Sequence, residues 1–162
     1  MQGGFFTYGL LAALAIALIV AALTDLRRRQ IDNWLNAGIA LSAPLFWLIN
    51  GQGFVAVGFH IVIALVTFFI LAIFFAMGVM GGGDVKLLSA LALWIDPIGY
   101  VKLLGLMSVA GGVLSAVMLA IHLARKRKGR IAVPYGIAIS FAGIWVIASD
   151  YLSTAATGLL SG

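Results

Sequence analysis

The sequence contains no cysteine and no glutamate, has three prolines, and only 9% of its 162 residues are charged. Without cysteine there is no disulfide, no thiolate zinc site and no thiol nucleophile. The shortage of charge excludes more. A soluble domain is about a quarter charged, and 10 Lys and Arg with five acidic residues cannot coat a water-facing surface of this size. Disorder is excluded too, because it requires low hydrophobicity. What remains is 64% hydrophobic, with a mean hydropathy of +1.17, and reads as an all-α integral membrane protein.

A helix needs about 20 apolar residues to cross the hydrocarbon core. Six segments are expected as crossings: 5–23, 34–49, 54–80, 84–98, 101–123 and 131–149, together forming one domain. The fourth is short, its apolar part 85–95 spanning only about 16 Å at the helical rise. Charge placement arbitrates. With six crossings and the N-terminus outside, every basic residue except Lys102 falls on the cytoplasmic side: Arg27, Arg28, Arg29, Lys86 and the cluster at 125–130. That is the positive-inside pattern, and it collapses if the fourth segment fails to cross. Trp34 and Tyr135 then fall at the inner edge, and Trp47, Trp94, Tyr100 and Tyr151 at the outer edge, as an interfacial aromatic belt.

All five acids are aspartates: Asp25, Asp32, Asp84, Asp96 and Asp150. Asp25 ends the first crossing and Asp84 begins the fourth, so the topology puts both at the cytoplasmic boundary. Two carboxyls held close do not both ionise readily and share a proton. One member then activates water while the other donates to a scissile carbonyl, with no metal or cofactor. The plainer readings are an interfacial charge for Asp25 and a helix cap for Asp84. Asp84 follows Gly81-Gly82-Gly83, which leaves the backbone approach to its carboxyl free of side chains.

Three segments, in order, resemble one family. Gly81-Gly82-Gly83-Asp84-Val85-Lys86-Leu87 resembles the Gly-x-Gly-Asp-x-Lys-Leu region of the intramembrane aspartyl proteases known as type IV prepilin peptidases. Asp25 through Ile31-Asp32-Asn33-Trp34-Leu35 resembles the segment carrying their other aspartate, and Val133-Pro134-Tyr135-Gly136 resembles their late Pro-Tyr-Gly motif. The resemblance implies Asp25 and Asp84 as catalytic residues, with Gly81, Gly83, Lys86, Asn33, Pro134 and Gly136 in supporting or substrate-binding roles. It also implies cleavage of the short cytoplasmic leader of prepilin precursors at a bacterial inner membrane. With no cysteine-bearing loop, it points to the short form associated with Flp/Tad-type pili. Asp32 stands where the family usually has proline, and is expected to pair with Arg28 or Arg29 or to cap the second helix.

Other residues have plainer readings. Lys86 is either a neighbour of the dyad or a cytoplasmic anchor, and Asn33 either orients Asp25 or caps the second helix. Pro134 suits the first turn of a helix. His60 and His122 stand apart with no ligand partner, so no metal site is expected. Asp96 and Asp150 are expected as solvated charges in outer loops. The basic cluster 125–130 is expected to fix topology and meet anionic lipid headgroups, not nucleic acid. Two rival functions remain: a transporter or proton relay using the aspartates, and a non-catalytic pilus or secretion assembly factor. The first wants acids along a polar path in mid-helix, and these lie at helix ends.

Overall fold

The computed structural model describes residues 2–124 and 134–160, with side chains for 4–124 and 134–151. The expected basic cluster 125–130, the expected start of the sixth crossing at 131 and Val133 lie outside the described residues. Six helices follow one another: α1 (Gln2–Arg28), α2 (Asn33–Ile49), α3 (Phe54–Ala76), α4 (Gly82–Ala92), α5 (Pro97–Ala124) and α6 (Tyr135–Leu160). The protein is an all-α, polytopic membrane protein. Within α1, α3 and α5, the spans Gly4–Arg28, Phe54–Ala76 and Pro97–Ala124 are long and apolar enough to cross a bilayer.

The residues of α1 explain its orientation. Its buried positions are Thr7, Leu11, Leu14, Leu18, Ala21 and Asp25, alternating steps of four and three that keep one stripe inward. Asp25 therefore continues the apolar stripe and faces the interior. The stripe packs on α6, which runs antiparallel: Asp25 lies against Gly136, and seven residues along each helix in opposite directions Leu18 lies against Gly143. In α3, by contrast, only His60, Ala64 and Thr67 are buried, while Phe69, Ile70 and Phe75 are exposed. Such a surface suits lipid rather than water.

Helix α4 is packed against α2, α3, α5 and α6. It is buried almost all round, at Asp84, Val85, Leu87, Leu88, Ala90, Leu91 and Ala92. It ends at Ala92, earlier than the expected 98, and α5 starts at Pro97 rather than 101. A helix ending inside a bundle exposes carbonyls that need donors, and aromatic side chains supply them. Trp47 Nε1 donates to Leu93 O at 2.8 Å, Tyr100 Oη to Leu88 O at 3.2 Å, and His60 Nδ1 lies 3.2 Å from Ala92 O. Trp94 Nε1 donates to Ile39 O at 2.8 Å in α2. Trp47, Trp94 and Tyr100 are thus buried hydrogen-bond donors, not the interfacial belt expected of them.

The expectation for the outer acids also changes. Asp96 sits at the N-cap of α5, with Oδ2 accepting from Ile98 N at 3.1 Å and Gly99 N at 3.2 Å, and Pro97 occupies the first helical position, the arrangement that favours a helix start. Asp150 lies within α6, not in a loop, and pairs with Lys102 at 3.5 Å.

Candidate active site

Two polar connections meet at one end of the bundle. The α1–α2 turn brings residues 29–33, with Arg29 at φ 53°, a left-handed residue closing the helix through Arg29 N to Asp25 O at 2.8 Å. The α3–α4 junction brings Gly81 to Asp84. Between them is a cavity of about 410 Å³ lined by Asp25, Arg29, Asp32, Asn33, Gly83 and Asp84 among others. Asp25 is 6% exposed and Asp84 8%, and each is within electrostatic reach of the other.

Each carboxyl is held by a backbone N–H at a helix start. Gly136 N donates to Asp25 Oδ2 at 2.7 Å, so Asp25 sits on the first turn of α6, where N–H groups lack helical partners. Asp84 is the third residue of α4 and reaches back to the N–H of Gly81, the N-cap residue, in the manner of a capping box. Asp84 is therefore not itself the cap. Among the described residues neither carboxyl has an ion pair; Arg29 acts on Asp25 through space.

The glycines are required for space rather than for unusual dihedrals. A Cβ at Gly136 would stand 2.8 Å from Asp25 Oδ2 and 2.9 Å from its Cβ and Cγ. One at Gly83 would meet Ile31 Cβ at 3.0 Å and Ile31 N at 3.2 Å. The α1–α2 turn thus lies directly on the Gly81-Gly82-Gly83 segment, and the missing side chain at Gly83 admits the chain's own backbone. Gly81 faces the Asp84 carboxyl, with Oδ2 at 3.0 Å from a built Cβ.

These are also the three segments singled out by motif, and they converge here. The sequence model of the type IV leader peptidase family matches residues 12–124. The chain belongs to that family. It is a membrane-bound peptidase, and its family's substrates are prepilin-like. No match was found among curated proteins, and none among solved structures.

The other candidates in this peptidase occupy distinct places. Asp32 holds the N-cap position of α2 without a side-chain cap bond. It is half-buried and lines the dyad cavity, and no ion pair to Arg28 or Arg29 forms. Asn33 is the first residue of α2, and its Oδ1 accepts from Lys86 Nζ at 2.7 Å. Lys86 is thereby directed to Asn33 and does not line the dyad cavity. Pro134 is buried next to Tyr135 and Gly136, one residue before α6 begins. His60 is buried and stacked on Trp47, 5.9 Å between centroids. No group of metal-binding side chains forms among the described residues.

One residue at this end was not singled out by the sequence. Asn36, one turn beyond Asn33 on α2, is 4% exposed. Its Nδ2 lies 3.4 Å from Gly83 O, and its buried Oδ1 has no partner. An amide inside an apolar helix was the available signal.

Proposed function

We propose that Asp25 and Asp84 are the catalytic pair of this peptidase and that it removes the leader of membrane-inserted, Flp-like prepilin precursors at the cytoplasmic face of a bacterial inner membrane. The observation that carries the assignment is the burial of two carboxyls, from helices far apart in sequence, on one polar cavity, with no ion pair to either among the described residues. A buried charge without a partner is costly, so such a pair persists where the chemistry needs it.

The chemistry follows from one shared proton. The ionised carboxyl accepts a proton from water as the water oxygen bonds to the scissile carbonyl carbon. The protonated carboxyl gives its proton to the carbonyl oxygen, forming a tetrahedral diol. Collapse breaks the C–N bond, a proton passes to the leaving nitrogen, and the pair again holds one proton. The pair titrates as a unit, so the rate falls both where the two carboxyls are protonated and where both are ionised, a bell-shaped profile. In this reading Gly136 and Pro134 seat α6 on Asp25. Gly81 and Gly83 let the two connections close around Asp84, and Asn33, held by Lys86 from outside, lines the cavity.

The same reading takes all six helices as crossings of one domain, with the N-terminus outside. Arg27 to Arg29, Lys86 and the cluster 125–130 then lie on the cytoplasmic side, in keeping with the positive-inside rule, and the cluster meets anionic headgroups.

The test is co-expression with a small pilin-like precursor, followed by intact-mass analysis. The expected result is a product lighter by the leader and cut at a single bond. An unprocessed precursor across several such pilins counts against the reading.

A further inference from the structure

A second concave surface adjoins the dyad cavity. It is a groove of about 450 Å³ between α2, α3 and α4, walled by Ala37, Ala40, Ala64, Leu65, Ala90 and Leu93 among others. Asn33 lines both this groove and the dyad cavity, so the two adjoin at that residue. Apolar grooves on the α1–α2 face and the α3–α5 face share none of the dyad cavity's lining. The stretch of α2 from Asn33 to Ala40 is about 10 Å long at the helical rise, room for some two turns of another helix. Its alanines let a helix backbone approach closely, the usual condition for helix association in lipid.

The groove also contains one unmet polar demand. Asn36 lines it and holds a buried Oδ1 without a donor. The Oδ1/Nδ2 assignment is fixed by Gly83 O, which can only accept. In a bilayer such an acceptor has no water to turn to. A helix entering the membrane has the complementary problem, because its first four N–H groups lack intrahelical acceptors. Asn36, one turn below Asn33 and in contact with the residue before Asp84, is at the depth where such N–H groups would arrive.

We infer that this groove receives the apolar helix that follows the cleaved bond of the precursor, with Asn36 Oδ1 accepting an N–H from its first turn. The inference rests on the peptidase reading and adds where the membrane part of the substrate lies. Asn36 is a positioning residue in this account: it fixes the register of the helix and hence which peptide bond reaches the dyad.

Cross-linking in vesicles tests it, using the full chain with Asp84→Asn to retain uncut precursor and benzoylphenylalanine at Leu65 or, as a control, at exposed Val109 on α5. The expected adduct forms from Leu65, maps to the first turns after the cleavage site, and is absent from Val109. In the otherwise wild-type protein, Ala40→Phe is expected to raise KM for the precursor about tenfold, and Ala64→Leu to raise it on the opposite wall should the first variant fail to accumulate. Asn36→Leu is expected to lower kcat/KM by about tenfold with thermal stability near wild type, because removal of the orphan acceptor offsets the loss of the long Nδ2 contact to Gly83 O; a purely structural asparagine would lose both. Equal labelling from Val109, an unchanged KM in the groove variants, or full activity in Asn36→Leu would overturn the inference. Wild-type protein that leaves the precursor intact although Leu65 labels it would count against the peptidase reading instead.

Discussion

Two pairs of aspartates sit at opposite ends of the bundle. At one end Asp25 and Asp84 are buried, held by the N–H groups of Gly136 and Gly81, and have no ion pair among the described residues. At the other, Asp96 and Asp150 also approach each other, since a Cβ at Gly99 would stand 2.7 Å from Asp96 Oδ1 and 3.1 Å from Asp150 Oδ2. That second pair is accounted for by ordinary means: Asp96 caps α5 and Asp150 is paired with Lys102. The comparison teaches that proximity of two carboxyls is not the mark of a catalytic pair. What sets the first pair apart is that both carboxyls are buried and neither has an ion pair among the described residues.

Substitutions rank the two ends. Asp25→Asn and Asp84→Asn are each expected to lower precursor cleavage by about a thousandfold or more, since either change removes acid–base function from the pair; single-turnover assays read this directly. Gly136→Ala comes next. Its methyl group would stand 2.8 Å from Asp25 Oδ2 and push the carboxyl aside, and a displacement of about 1 Å in a reacting group costs about a hundredfold. A fully active Gly136→Ala would show that the seat of α6 on Asp25 is not needed. Asp32→Asn sharpens the comparison from inside the cavity, because Asp32 is a third carboxyl there and only half-buried. It is expected to retain most of the activity, and a dead Asp32→Asn beside an active Asp25→Asn would reassign the pair. The smallest effect belongs to the far end: Asp96→Ala is expected to cost about 1 kcal/mol of stability through the lost cap, seen in thermal unfolding, with cleavage unchanged.

Much of this was legible in the sequence. Charge scarcity and apolar length gave an all-α polytopic protein with six helices, and three ordered motifs gave the family. Asp25 and Asp84 stood out because acids at the ends of apolar segments are few. The interior of the bundle was less legible. Trp47, Trp94 and Tyr100 had the spacing of a belt, and their role as donors to α2 and α4 carbonyls depends on where α4 stops, which periodicity cannot report. Asp96-Pro97 did carry its signal, a cap residue followed by proline at the first helical position, but was outweighed by its expected loop placement. Gly83 was read as open space for a substrate, whereas the chain's own Ile31 lies against it. Only the tertiary contact between two connections reveals that.

The most direct test is a side-by-side measurement of kcat for precursor cleavage in vesicles by four variants: Asp25→Asn, Asp84→Asn, Asp96→Asn and Asp150→Asn. The account predicts that the first two lose cleavage while the last two remain near wild type. Substantial activity in either of the first two, or loss in either of the last two at normal folding, would contradict it.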